Sequence, residues 1–565
     1  MKNHKFLILD DKIHFIRFHK LFLIKIFTMK KLITILVYSL LCVGLSAQII
    51  HNSGARIVSE SGVHWVIDNG DFTLKSESAT NLATMANLKI EADASLTLTP
   101  ASYLTVSGTL TNNSGTNGLV LQSTVDGTAS LIHSTATIEA TAQRYIAAWP
   151  VNDKYHGWHF LSSPVGAQAI SPSFVNISGT MSADVDLYKW SEPENLWINI
   201  KNNSNTYNQG TGSTNWSNDV SPQFETGKGY LTAYGTIQTK QFIGNLNVAN
   251  VAITGMTYTT GKTYRGWHLV GNPFSSAIKW GQGDWVKTNI AAVPQIWNET
   301  SASYKVLKGD GIIPAQNGFM VFVTEGHTGA LTIPANARLH SDSAWYKNSA
   351  SINEIILTAR DPEGLTAQET IISINPEATQ DFDLEYDSYF MAGFAPMFYS
   401  TSQGKLFALN SLPELTDELV VPMGFVKNQN SSFSIQLTQN TTDHTLYLED
   451  IKTNVVHNIS ETPYTFLSTA GDNPNRFLLK FGSVGIDETP VTPVINAWYS
   501  RGILNVKTNE GITNIGIFNI QGQQLQNYQL FGSGLQTVSI NLPTGVYFAR
   551  LINDGNMQTV KIIIQ

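Results

Sequence analysis

Cysteine is almost absent: one residue, Cys42, in 565. That excludes a disulfide-stapled scaffold and a Cys-rich zinc site, and because Cys42 lies before the expected cleavage point after Ala47 the mature chain has no thiolate nucleophile either. Charge is scarce too, at 14% against about 25% in ordinary soluble proteins. Removing residues 1–47 takes away eight Lys and Arg and two Asp and Glu, which leaves 27 basic against 41 acidic residues and a formal charge of −14. With no basic surplus, nucleic acid and anionic membrane surfaces are excluded as partners. H-E-x-x-H, G-x-S-x-G and P-loop signatures are missing, and so is any sustained helical periodicity beyond the first fifty residues. What fills the chain instead is Asn, Thr, Ser and Gly between short apolar alternations. This is the composition of β-structure with neutral polar outer faces. Residues 48–565 are long enough for three to five units at roughly 100–200 residues each.

The chain opens with an export signal. Met29-Lys30-Lys31, the apolar run Leu32 to Leu45 and the small residues Ser46-Ala47 form the charged, apolar and cleavage regions of a signal peptide at 29–47. Cleavage is expected after Ala47. The apolar run is shorter than the roughly 20 residues that a bilayer requires, so no transmembrane anchor is expected in the mature chain. Cys42 follows Leu40-Leu41 and not the small residues of a lipidation signal. Residues 1–28 read as an upstream mis-start.

Four β-regions follow. From 48 to 145, runs of three or four residues such as Ser95-Leu96-Thr97-Leu98 and Leu119-Val120-Leu121 are too short to bury enough apolar surface alone. They must stack, as a short-rung right-handed β-helix or else as a β-sandwich. Between 146 and 340 a segment recurs: Tyr155-His156-Gly157-Trp158-His159-Phe160-Leu161-Ser162-Ser163-Pro164 returns as Tyr264-Arg265-Gly266-Trp267-His268-Leu269-Val270-Gly271-Asn272-Pro273. Aromatic strands (Leu187 to Trp190, Gln295 to Asn298) and Gly-aromatic strands (Lys228 to Leu231, Asn317 to Met320) follow in each copy. The copies, at about 155–246 and 264–335, are tandem domains or two halves about a pseudo-two-fold; covering one aromatic face with the other favours the second. Strands of sandwich length occupy 345–484, a linker with Pro490 and Pro493 spans 485–494, and 495–565 reads as a small antiparallel β-sandwich. The fold class is all-β and multidomain.

Gly545-Val546-Tyr547-Phe548-Ala549-Arg550-Leu551, Asp554-Gly555 and Lys561-Ile562, with Gly516 to Gly522 before them, resemble the type A C-terminal sorting domain of the type IX secretion system, an Ig-like β-sandwich. Val494 to Ala497 stands where that family commonly has Tyr-Pro-Asn-Pro, and Gln565 where it has a basic residue. The resemblance implies inner-membrane passage by the general secretory route and outer-membrane passage by the type IX machinery. It further implies removal of the domain by a sortase-like peptidase, often with attachment to anionic lipopolysaccharide. It makes Gly545, Tyr547, Arg550, Gly555 and Lys561 the sorting signal and places the protein outside the cell or on its surface. The run from Leu104 to Ser123, the Gly-Trp-His segments and the stretch from Phe382 to Phe425 likewise resemble parts of secreted proteins of the Bacteroidetes type.

Three residue sets are candidates for function. His156 and His159 form an H-x-x-H that would grip zinc on a helix, but on a strand residues three apart face opposite ways, and the second copy has Arg265 in place of His156. Both His159 and His268 are expected beside Trp, bonded to backbone. Asp381, Asp383, Glu385 and Asp387 alternate, so a strand would align four carboxylates on one face: a solvated face, a calcium site, or, about 6.6 Å apart, a glycosidase-like pair. Calcium is the one cofactor this pattern admits. Eight Trp fall within the two copies. The repeated Trp158 and Trp267 read as core, while the less regular Trp197, Trp216 and Trp285 are candidates for a surface platform that stacks on sugar rings. Together these features favour a secreted, non-catalytic adhesin, matrix or glycan-binding protein with a glycan or surface-protein ligand. The alternative is an extracellular hydrolase of polysaccharide or protein whose catalytic residues are dispersed between strands.

Overall fold

The computed structural model describes residues 62, 64–76, 78–80, 82–151, 153, 155–177, 183–201, 222–308, 311–342, 353–483, 495–500, 502–508, 512–553 and 556–564. The expected signal peptide 29–47, the expected linker 485–494, Trp216 and Gly555 lie outside them. The described structure is all-β; its only helices are short 3-10 turns, and none is long and apolar enough to cross a membrane. The chain divides into two compact units, Met1–Gly482 and Ser483–Gln565.

The first unit begins as a β-solenoid. Strands His64–Leu74, Asn87–Leu98, Leu119–Leu121 and Glu139–Ile146 pair in parallel one on the next, and Ala83–Met85, Tyr103–Val106 and Ser130–Ile132 form a second parallel ladder. Identical side chains stack in register, Leu88 on Leu110, Leu96 on Leu119 and Leu98 on Leu121, and all six are buried. Each rung is too thin for a core of its own, so stacking supplies it. The last rung is closed by an antiparallel strand, Gln238–Asn245, over the full length of Glu139–Ile146.

Two four-stranded antiparallel sheets come next, and they share one strand order. In the first, His159–Ser162, Gly229–Tyr234, Val185–Ser191 and Leu196–Asn199 lie side by side; in the second, Trp267–Gly271, Gly318–Phe322, Gln295–Asn298 and Ser303–Val306 do. Registers correspond as well: Leu161 pairs with Tyr230 as Val270 pairs with Phe319, and Trp190 opposes Trp197 as Trp297 opposes Tyr304. Across the contact between the sheets the amide of Ser162 donates to Gln316 O at 2.9 Å, and the amide of Gly271 donates to Gly227 O at 2.8 Å. In the sequence alignment Ser162 matches Gly271 and Gln316 matches Gly227, so the two bonds are exchanged by a pseudo-two-fold. Backbones approach this closely because side chains are missing. A Cβ on Gly229 would lie 2.6 Å from both Val270 O and Leu269 Cγ, and one on Gly271 would lie 2.7 Å from Lys228 O.

From Glu354 to Ser483 an eleven-stranded sheet curls back on itself in a sandwich-like way. Its inner face gathers Phe425 with Phe433 and Phe466 at ring separations of 4.9 and 4.8 Å. At its rim, Arg476 Nη2 and Nε donate to Asp450 Oδ2 and Oδ1 at 2.6 and 2.9 Å, with both side chains buried. Burial alone would raise the Asp450 carboxyl, but the hydrogen bonds from Arg476 and Tyr464 and the guanidinium charge hold it below the ordinary range.

The expected strand at Asp381 to Asp387 is a turn. The Asp387 amide bonds Asp383 O at 2.9 Å, and the Asp383 amide bonds Asp387 Oδ2 at 2.8 Å. The Asp387 carboxylate also takes the Ser411 amide at 2.6 Å and is wholly buried, whereas Asp381 and Glu385 are exposed. Short polar side chains that cap their own backbone favour turns over ladders, which overrode the alternation. The four carboxylates therefore share no face.

The second unit is a β-sandwich. One sheet holds Ile495–Ser500, Ile503–Thr508 and Gly534–Ser539, and the other holds Gln524–Phe531, Ile512–Asn519, Gly545–Asn553 and Asn556–Ile564. Leu504, Val506, Ile515, Ile517, Ala549 and Leu551 fill the space between.

Placing a methyl group between the twin sheets tests their approach. Gly229→Ala should cost about 1–3 kcal/mol of stability in the first unit through overpacking, read from urea unfolding by Trp fluorescence; an unchanged midpoint would refute the close contact. Asp387 carries a pH signature. Burial pushes its carboxyl up to about 6, against the backbone amides that favour its ionised form. The folded state thus holds this proton where the unfolded chain has lost it, and this contribution to stability falls as pH rises from about 4 to 6. Thermal melts should show the wild-type protein losing ground to D387N over that interval; a constant difference would count against it.

Candidate functional site

The pseudo-two-fold that joins the sheets also creates a cleft. Each sheet ends in a hairpin with a four-residue turn, Glu192 to Asn195 in one and Glu299 to Ala302 in the other, and the last turn residue of each is left-handed, at φ 58° and 51°. Cross-strand aromatic pairs stand behind both turns, Trp190 with Trp197 at 5.2 Å between ring centroids and Trp297 with Tyr304 at 5.3 Å. They line a cavity of about 480 Å³ together with Trp158, Phe160, Tyr188 and Tyr264. A loop of the following region, Met391 to Phe394, forms its remaining edge. That loop is fixed by the Phe394 amide donating to Ala302 O at 2.9 Å, while the Phe394 ring lies 5.7 Å from Tyr155 and 5.9 Å from Trp297.

The polar frame around the cleft is reciprocal. Glu192, buried, reaches from the first sheet to the second and accepts from Thr257 Oγ1, both polar groups of Thr259 and the Gly266 amide at 2.5–2.8 Å. Burial would raise this carboxyl, and those donors hold it down. Its counterpart Glu299 reaches back from the second sheet to His159 Nδ1 at 2.8 Å. His159 Nε2 donates to Ala147 O at 3.1 Å and His268 Nε2 to Thr257 O at 2.8 Å. Both ring nitrogens of His156 are taken as well, by Asp153 Oδ2 at 2.6 Å and by Leu365 O at 3.0 Å.

One pair of equivalent groups breaks the symmetry. Trp190 Nε1 donates to Trp267 O at 2.6 Å, whereas Trp297 Nε1, in a side chain only 6% exposed, has no acceptor. The lining includes Asn195, whose Oδ1 takes the Tyr264 amide at 2.7 Å. Among the described residues it includes no Asp, Glu, His, Lys or Arg. Burial keeps the phenols of Tyr264 and Tyr304 above their ordinary value, so both remain neutral. Such a surface can stack, exclude water and form a few neutral hydrogen bonds. Among the described residues it holds no side chain suited to moving a proton at neutral pH.

Of the sequence-selected Trp, Trp197 lines the cleft. Trp285 does not: it packs on Trp280 at 4.6 Å and donates to Lys279 O and Gln282 O at 3.1 and 2.9 Å. Trp267 is buried, as read from its repetition, but Trp158, its counterpart, is half-buried and faces the cleft. Trp190, Trp297 and Tyr264 were missed. Their signal was recurrence in both copies, and they were passed over because the surface candidates were chosen for being less regular. Among the described residues no group of three or more His, Asp or Glu is placed to hold a metal ion, the Asp381 to Asp387 turn included. In the second unit Tyr547 is buried with its hydroxyl donating to Pro543 O at 2.9 Å, Gly545 opens the same strand, and Arg550 on that strand and Lys561 on the neighbouring one are exposed.

Residues 283–481 match a domain of unknown function (DUF8693), which begins inside the second of the twin sheets' segments. Residues 500–565 match the secretion system C-terminal sorting domain. The minor fimbrium subunit Mfa5 of Porphyromonas gingivalis is 21% identical over 537 residues, covering 86% of this chain and 42% of that protein. The chain thus spans less than half of that relative's length. The BSP domain of a biofilm associated protein overlaps 74% of this chain and 97% of its own at 11% identity, with a TM-score of 0.11 that establishes no shared fold. The C-terminal unit of this all-β chain is therefore a secretion system sorting domain of the type IX route, and the protein is exported to the cell surface or the medium.

Proposed function

We propose that this is a non-catalytic, adhesin-type protein that works outside the cell by holding a glycan in the aromatic cleft between its twin sheets. The observation that carries the reading is the cleft itself: four Trp and three Tyr converge on one cavity, and among the described residues that line it none is charged. Aromatic faces pack well against the apolar faces of sugar rings, and the Asn195 amide and the phenols offer hydrogen bonds to hydroxyls. The twin sheets act as a duplicated unit whose two copies each give one wall. The similarity to a fimbrium subunit supports a surface role.

A polysaccharide-binding panel on the exported protein, read by Trp fluorescence, tests it. Trp197→Ala should abolish binding, with a stability loss of about 1–3 kcal/mol. Trp285→Ala should lose comparable stability and keep binding, because its cluster is separate. Equal binding by both variants, or breakdown of the polysaccharide by the wild-type protein, would overturn the proposal. Export is tested by deletion: a chain lacking Ile495 to Gln565 should accumulate in the periplasm, and its appearance outside at wild-type levels would remove the terminal unit's role.

A further inference from the structure

We infer that the saccharide carries an acetamido group, and that the first hairpin holds this group against Trp190 and Trp197 through Asn195. This rests on the glycan reading and narrows it to N-acetylated sugars. The first ground is the pseudo-two-fold, because the chain itself already occupies one of the two equivalent aromatic pairs. The backbone of Gly393 presses on Trp297: a Cβ added there would come 2.9 Å from Trp297 Cζ3 and 2.7 Å from Ala302 O. The amides of Phe394 and Ala395 both donate to Ala302 O, at 2.9 and 3.2 Å. The second hairpin thus holds peptide amides between an indole and the carbonyl that ends its turn. Under this cover Trp297 and Tyr304 are each only 6% exposed.

The first hairpin is built alike and is open. Asn195 takes the place of Ala302, ends a turn of the same length and shares its left-handed backbone, so its carbonyl stands in the same relation to Trp190 and Trp197. Among the described residues nothing donates to Asn195 O, and Asn195, Trp190 and Trp197 are half-buried and line the cavity. An acetamido group is a peptide unit in miniature, a planar amide with one N–H and one carbonyl. Placed as the Gly393-Phe394 peptide is placed, it lies against the indole and gives its N–H to Asn195 O. The second ground is the Asn195 side chain. Its Oδ1 is taken by the Tyr264 amide at 2.7 Å, while its Nδ2 has no protein partner among the described residues and is not sealed from solvent. That leaves a donor for the acetamido carbonyl, beside an acceptor for the acetamido N–H. A hydroxyl satisfies either group but offers the indoles no planar face.

The test titrates the exported protein with the methyl glycosides of N-acetylglucosamine and N-acetylgalactosamine, with the parent glucoside and galactoside, and with chito- and cello-oligomers of equal length. Within each pair the sugars differ only in acetamido against hydroxyl at one carbon. In at least one pair the acetamido member should bind about tenfold tighter, the size of one net hydrogen bond. Asn195→Asp keeps an oxygen for the Tyr264 amide and removes the Nδ2 donor; it should erase that preference and leave the thermal midpoint in place. In saturation-transfer NMR on the wild-type protein the acetyl methyl should receive more saturation than any ring proton of the sugar, a readout that needs no variant. Equal or weaker binding of the acetamido members, a preference that survives in N195D, or a weakly saturated methyl would overturn this inference and leave the glycan reading standing. Binding of no sugar would overturn both.

Discussion

Two backbones that meet without side chains between them set the geometry of the first unit. At Gly229 and Gly271 the sheets are close enough for amides to cross from one to the other, and the bonds from Ser162 and Gly271 fix them in a single relative register. Everything aromatic nearby follows from that contact. Phe160, Trp267, Leu269 and Met320 are buried together because the sheets cannot separate, and the rings farther out touch only in places, as Trp190 and Tyr264 do at 6.2 Å between centroids. The space left between them is the cleft. Interiors packed this tightly do not deform gradually, so the cavity is preformed, with its walls already in place.

The exchanged glutamates reinforce the same arrangement. Glu192 ties the first hairpin to the second copy's Thr257, Thr259 and Gly266, and Glu299 ties the second hairpin to the first copy's His159. A buried carboxylate without such donors would be strongly unfavourable. Each sheet therefore depends on the other both for apolar cover and for polar satisfaction, and neither would hold its hairpin alone.

The sequence shows fold class and export plainly, because period-two alternation, turn residues and the terminal motif are local patterns. It shows the recurrence of Gly-Trp-His, since Gly157 and Gly266 share a left-handed backbone and His159 and His268 share a strand position and a carbonyl partner. It does not show which Trp face a cavity. Trp158 and Trp267 are equivalent in sequence, yet one lines the cleft and the other is sealed, because the covering elements differ on the two sides of the axis. Nor does alternation of acidic residues reveal that Asp387 will turn back onto the Asp383 and Ser411 amides. That outcome depends on a partner strand brought in by tertiary structure.

The loop from Met391 to Phe394 gives the chain a schedule. A protein emerges from its N-terminus, so the rung Glu139–Ile146 waits with an open edge until Gln238–Asn245 arrives, and the first aromatic face waits for Trp267–Gly271. Unpaired edges and uncovered rings of this kind attract wrong partners while they last. The cleft comes last of all, because its rim is made by residues that follow both copies. The cleft thus takes shape only after some 390 of the 565 residues have been made, and no shorter nascent chain contains it.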